Sequence, residues 1–388
     1  MRYGVPYQGS KNSIAREIVR FLPPGEVLVD LCAGGCAITH AALEVCDGFA
    51  PKWGRIVSND INPRPGRLFA DAIAGRYRDE RRWISWEDFF RLRDDDAYVR
   101  YCWSFGATGD SYLYSVELEP WRRAVHMARA QGDTSALRAM GIDSDGSAAD
   151  IAAHEEAYRE AYIAWFLRQM PYSEEDLRGM MARTREDVQQ TEEELRDYLL
   201  DALRRSGLTQ AEVQRRLGTQ MAGHYFGRSQ WAFPTREHYE RMRAFMPLHL
   251  AYDEIVGLYR LRQLLDNLAR LDNLARLDNL RELERLRGCL ALDRLEQTSM
   301  DYSALPIPDS AVVYADIPYE DTDCKAYHGF DHGRFFDWAA AQRARVYISS
   351  YEITDARFAC VWETDKRCLM QGGAGNLSKE RIYTQVRD

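Results

Sequence analysis

Asp316-Ile317-Pro318-Tyr319 sets a carboxylate, a stiff turn and an aromatic ring directly after the apolar run Ala311-Val312-Val313-Tyr314-Ala315. Such a run reads as a buried strand, and in open α/β sheets the carboxyl ends of strands are where ligands bind. These residue types suit an exocyclic amine on a flat base. Asp316 offers one acceptor for the amine hydrogens, the Ile317 carbonyl offers a second across the turn stiffened by Pro318, and Tyr319 offers a stacking face. Read purely as structure, the same residues are a strand followed by an X-Pro turn.

Two N-terminal segments add to this. Glu26 to Ile38 reads as a buried strand, a loop of small residues at Cys32-Ala33-Gly34-Gly35, and then a helix through Thr39 to Val45. Small residues let a ligand approach the backbone closely. A second short strand, Arg55-Ile56-Val57-Ser58, ends at Asn59-Asp60-Ile61-Asn62. Asp60 therefore stands where a doubly wound nucleotide fold places the carboxylate that binds ribose hydroxyls. The loop lacks the G-x-G-x-x-G spacing and is no dinucleotide fingerprint.

Together these segments resemble the Dam-like DNA adenine N6-methyltransferases, especially their phage and prophage relatives. The resemblance implies the cofactor S-adenosylmethionine, contacted by Tyr7, Gly9, Ser10 and Lys11 of Tyr7-Gln8-Gly9-Ser10-Lys11. It implies that Asp30, Cys32, Ala33, Gly34 and Gly35 form the cofactor's glycine loop, with Asp60 as its ribose-binding acid. Asp316, Ile317, Pro318 and Tyr319 then match the catalytic tetrapeptide, and Asp301-Tyr302 falls where relatives contact the cofactor's adenine. The resemblance continues through Ser104-Phe105-Gly106, through residues 223–231 and through Tyr347-Ile348-Ser349-Ser350-Tyr351, and so covers nearly the whole chain. Two departures stand out. The family has proline where this chain has Ile317, and an aromatic is often found where Leu31 and Cys32 stand.

Residues 1 to about 100 and about 298 to 388 each alternate short strands with helical stretches, and neither supplies enough strands for a covered parallel sheet. The expected fold is α/β: a Rossmann-like class I methyltransferase sheet with a large, mostly helical inserted recognition domain. The cofactor half is expected at 1–100, the insert at 101–250, a leucine-repeat spacer or helix at 251–297 and the catalytic half at 298–388. Tyr158 to Arg168 and Arg183 to Arg205 carry helical periodicity with dense charge.

Within the insert, Thr209 reads as an N-cap with Glu212 three residues on, and Gly218 stops the helix before a second turn enters His224 and Tyr225. This has the pattern of a helix-turn-helix, although a plain αα-hairpin satisfies it equally. The functional reading makes Arg215, Arg216, His224, Tyr225, Arg228, Ser229 and Gln230 the DNA-binding residues, with arginine for guanine and glutamine for adenine. A net charge of −9 disfavours nucleic acid for the chain as a whole. From Leu200 to Leu250, however, eight arginines face four acids, so a basic recognition face for double-stranded DNA is permitted.

Three near-repeats of Leu-Asp-Asn-Leu between Leu265 and Leu280 place leucine every third residue. On a straight helix that spacing drifts about 60° per step, as a helix buried on several sides tolerates. Nothing in the repeat is reactive, so a spacer or interaction module is expected. The eight cysteines are scattered without a C-x-x-C pair and read as reduced thiols. His328 and His332 have no third ligand spaced with them, so no metal is expected. With no signal peptide and no run of about 18 apolar residues, a cytoplasmic protein without a membrane partner is expected. The leading reading is methylation of the N6 amine of a flipped adenine in a specific duplex sequence. Its rivals are a degenerate methyltransferase fold serving as a DNA-binding or regulatory protein, and an enzyme acting on cytosine N4 or RNA.

Overall fold

The computed structural model describes residues 3–47, 50–114, 119–147, 149–150, 185–219, 221–227, 231–252, 273–288, 292–319, 329–367 and 377–387. The chain divides into two compact units, one of Met1–Ser115, Asp272–Cys368 and Asn376–Asp388, the other of Val116–Leu271 and Leu369–Gly375.

The first unit carries a seven-stranded sheet. Its strands are β1 (Gly25–Asp30), β2 (Trp53–Asn59), β3 (Leu295–Thr298), β4 (Val312–Asp316), β5 (Arg345–Ser350), β6 (Phe358–Arg367) and β7 (Leu377–Gln385). They lie in the order β3-β2-β1-β4-β5-β7-β6. The first five are parallel, and β7 runs antiparallel to both β5 and β6. The order reverses between β1 and β4, the switch point at which doubly wound sheets open a ligand crevice. Val27 to Asp30 of β1 and Val312 to Ala315 of β4 are buried without alternation, because strands covered on both faces need apolar residues on both. Val29, Val313, Ala315, Val346 and Ile348 share one core with Phe335 and Ala339 of the helix His332–Ala341. That helix starts where the Asp331 carboxylate accepts from the Arg334 amide at 2.9 Å.

Two sequence boundaries shift. The first unit extends to Ser115 rather than to about 100, because Tyr98, Tyr101, Trp103, Tyr112 and Tyr114 are buried within it. Trp83 links several of these rings, stacking on Tyr114 at 5.7 Å and meeting Trp103 edge-on at 5.1 Å. The described part of the leucine repeat, the helix Asn273–Leu283, also belongs to this unit. Leu274, Leu277, Leu280 and Leu283 are all buried. Arg276 donates to the carbonyls of Tyr101, Cys102 and Ser104 at 3.3, 3.0 and 2.7 Å, and Asn279 donates to that of Gly4 at 3.0 Å. Here the repeat is a core helix covered on several sides, and the spacer reading fails for it. The rest of the repeat, from 265 to 272, lies outside the described residues.

Among its described residues the second unit is helical, with Glu119–His126, Ser135–Ala139, Arg185–Ser206, Gln210–Leu217, Ala222–Phe226 and Arg236–Arg243. Tyr158 to Arg168 lies outside them. The expected capping box is present, with Thr209 and Glu212 bonding reciprocally, and Gly218 ends the helix at φ +67°. Leu199, Val213, Leu217, Tyr225, Tyr239 and Met242 form the unit's core.

Candidate active site

Parallel pairing of β4 with β5 sets Asp316 opposite Ser349 at the last paired position of the strand. The Asp316 Oδ1 accepts from Lys11 Nζ at 2.6 Å, and Lys11 is only 5% exposed. Glu380, fully buried on β7, joins this group. Its Oε1 accepts from Ser349 Oγ at 2.7 Å and from the Tyr319 hydroxyl, and lies 3.7 Å from Lys11 Nζ. Lys11 Nζ lies 4.9 Å from the centroid of the Tyr319 ring, which meets Tyr351 in a T-shaped contact at 4.5 Å. Burial, followed by the nearby Asp316 and Glu380, pushes the Tyr319 phenol well above its ordinary range and keeps it a donor.

The Ile317 side chain is 3% exposed and lies in the sheet core. An aliphatic side chain therefore suits this position. His332 Nε2 donates to the Pro318 carbonyl at 2.7 Å and so braces the turn. His328 lies outside the described residues.

At the glycine loop, Asp30 is 1% exposed, and its Oδ2 accepts from the Thr39 amide at 3.0 Å and the Thr39 hydroxyl at 2.7 Å. Burial raises its carboxyl to about 7 despite those bonds. Asp30 thus ties the loop to the helix Ala37–Glu44 from behind. Asp60 accepts from the Gly34 and Asn62 amides, each at 2.8 Å, and its carboxyl is raised by burial. A Cβ on Gly35 would lie 2.7 Å from the Tyr7 Cβ and 2.8 Å from the Val5 carbonyl. On Gly34, whose φ is +47°, it would lie 2.9 Å from the Tyr7 ring. The small residues therefore admit the chain's own N-terminal segment. Gly9 is exposed at φ +77°, and the buried Ser10 hydroxyl has no hydrogen-bond partner among the described residues.

A cleft of about 110 Å³ opens beside Ala33, Gly34, Asp60, Asn62 and Thr298, at the carboxyl ends of β1, β2 and β3. Cys32 is half-buried beside the core, and burial raises its thiol well above the ordinary range. Asp301 accepts from the Ser303 amide at 2.9 Å, and Tyr302 packs edge-on against Phe335 and Trp338, each at 5.1 Å. Sequence reasoning overlooked Glu380 and also Asn59. Asn59 donates to the carbonyls of Leu31 and Met300 at 3.1 and 3.0 Å and accepts from the Thr298 hydroxyl at 2.8 Å, joining the ends of β1, β2 and β3.

In the helical unit Arg215 and Arg216 are exposed, and the Arg216 guanidinium lies 5.1 Å from the Phe245 ring centroid. Tyr225 is 1% exposed and shares a 2.6 Å hydrogen bond with His238 Nδ1. Buried in the unit's core, its ring beside His238 at 6.0 Å, it is not a surface DNA contact. His224 is half-buried, and Arg228, Ser229 and Gln230 lie outside the described residues. Asp201 pairs with Arg205 at 2.8 Å and Glu240 with Arg243 at 3.1 Å, whereas Arg215 has no ion-pair partner among the described residues.

A sheet wound in this order, with its glycine loop after β1 and an acid after β2, defines a Rossmann-like methyltransferase fold. Residues 7–87 match the model of the D12 class N6 adenine-specific DNA methyltransferases, in agreement with the resemblance to Dam-like enzymes. That match takes in Tyr7 to Lys11, the glycine loop and Asp60. No curated protein matches the chain. Among the described residues no helix is long and apolar enough to cross a membrane, and no group of three or more His, Cys, Asp or Glu is placed to hold a metal ion.

Proposed function

We propose that this protein is an S-adenosylmethionine-dependent methyltransferase that modifies the N6 amine of an adenine flipped out of a specific duplex DNA sequence. The observation that carries the reading is the position of Asp316, at the carboxyl end of β4 beside the glycine-loop strand β1, in a chain whose N-terminal part matches adenine-specific DNA methyltransferases.

The residues present fit the cofactor. Asp60 has spent one acceptor site per oxygen on backbone amides, and a carboxylate retains further lone pairs for ribose hydroxyls. The exposed, left-handed Gly9 offers its backbone, and the buried Ser10 hydroxyl has no hydrogen-bond partner among the described residues. S-adenosylmethionine supplies a methyl group already activated on a sulfonium. Asp316 and the Ile317 carbonyl accept the amine hydrogens and turn the nitrogen lone pair toward that methyl, so orientation supplies much of the rate. Tyr319 borders the base, and flipping costs a few kcal/mol of unstacking. Arg215 and Arg216, with Arg228, Ser229 and Gln230, position and read the duplex.

Transfer from tritiated S-adenosylmethionine to plasmid DNA free of adenine methylation tests this. Asp316→Ala should abolish transfer while retaining cofactor binding by calorimetry. Asp60→Ala should instead weaken that binding by about 1.5–3 kcal/mol, the worth of charge-assisted hydrogen bonds. Near-normal transfer by folded Asp316→Ala protein sinks the mechanism.

A further inference from the structure

We propose that Glu380 is a positioning residue for the methyl transfer, a role that rests on the function proposed above. A carboxylate with no exposure is costly to bury unless its partners repay the desolvation. Three partners of Glu380 Oε1 stand at the candidate catalytic wall: the Tyr319 hydroxyl, the Ser349 hydroxyl at 2.7 Å, and Lys11 Nζ at 3.7 Å. Ser349 is the register partner of Asp316, and Lys11 holds Asp316 at 2.6 Å. Glu380 thus touches Lys11, which holds Asp316, together with the Ser349 and Tyr319 side chains beside it.

The sheet explains how it gets there. β7 is antiparallel and pairs Ser349 with Ile382 and Ser350 with Arg381, so the next residue along β7, Glu380, falls at the carboxyl end of β5, level with the tetrapeptide. Lys11 stands between two carboxylates, Asp316 nearer and Glu380 farther. When the amine of the base engages Asp316, the ammonium has a second carboxylate to lean on. Glu380 therefore keeps Lys11 in place as Asp316 turns to the substrate, and it fixes the Tyr319 ring by its hydroxyl. Displacing aligned reacting groups by even an ångström costs up to about a hundredfold in rate.

Glu380→Gln keeps the volume and one acceptor but removes the charge, and Tyr319→Phe keeps the ring but removes the bonded hydroxyl. In full-length protein, each should lower the single-turnover methylation rate at saturating tritiated S-adenosylmethionine and plasmid DNA by tenfold or more, on the order expected of misaligned groups. Cofactor affinity by calorimetry and the melting temperature should stay near wild type. The double variant should be no slower than Glu380→Gln alone, since the Tyr319 hydroxyl is one of the groups through which Glu380 acts. Glu380→Asp should recover part of the rate. An unaffected rate in folded Glu380→Gln, or losses that multiply in the double variant, overturns the positioning role while wild-type activity leaves the proposed function intact. Absence of transfer by the wild type overturns both.

Discussion

Asp30 and Asp60 are both raised by burial, yet their oxygens are spent differently. Both bonds to Asp30 come from Thr39 and fall on one oxygen, whereas Asp60 spreads its two backbone amides over both. Asp30 is also the more deeply buried of the two. Its folded value of about 7 stands above the ordinary 3.8, so the fold favours the protonated carboxyl. That contribution to stability is fully present below about pH 4 and is lost as the pH rises through about 7. An asparagine oxygen can take the same two bonds without a charge. Asp30→Asn should therefore be more stable than wild type at pH 8, by at most a few kcal/mol, with the gain shrinking toward pH 5. Melting curves of both proteins without cofactor at the two pH values decide it, and a constant loss at both would show that the charged form is the one the fold uses.

Among the elements, the helix Asn273–Leu283 shows how packing overrides a poor period. Its four leucines three residues apart cannot share one stripe, and each finds cover because neighbours approach from several directions. Arg276 and Asn279 fill the intervening faces with hydrogen bonds to backbone carbonyls, which a solvated spacer has no means to satisfy. Leu277→Ala should cost about 2–5 kcal/mol in urea unfolding, as for other fully buried leucines. Asp278→Ala, which loses only a surface pair with Arg281 at 3.1 Å, should cost under about 1 kcal/mol. Equal small costs for both would return the helix to the role of a spacer.

For the whole molecule, a net charge of −9 and the proposed DNA substrate are reconciled by uneven distribution. The acids between Leu200 and Leu250 are used locally: Asp201 and Glu240 in ion pairs, Glu212 in a capping box. Arg215 is left exposed on the helix Gln210–Leu217. Arg215→Ala should weaken DNA binding similarly for all sequences and lower the slope of log affinity against log salt by about one. Arg228→Ala should cost about 1–3 kcal/mol and relax the methylated sequence if that residue reads a base. Titrations at several salt concentrations, with modified-base sequencing of the product, separate the two. An unchanged slope and pattern would move recognition to another face.

The strand ending at Asp316, the acid after the second strand, the turn of small residues, and the Thr209–Glu212 cap with its Gly218 stop were all legible in the chain. Each depends on residues adjacent in sequence: an apolar run, a capping pair, a left-handed glycine. What required the folded molecule was whatever depends on strands and helices remote in sequence coming into register. Lys11 and Asp316 stand 305 positions apart, and only the parallel pairing of β1 and β4 and the return of the N-terminal segment over the glycine loop bring them to contact. Glu380 carries no local signal in the sequence, and only the antiparallel strand β7 beside β5 buries it at the site. Tyr225 looked like a surface aromatic beside arginines, and the leucine repeat looked like a spacer. Burial was decided in both by what packs against the helix from elsewhere in the chain, and a local pattern does not carry that information.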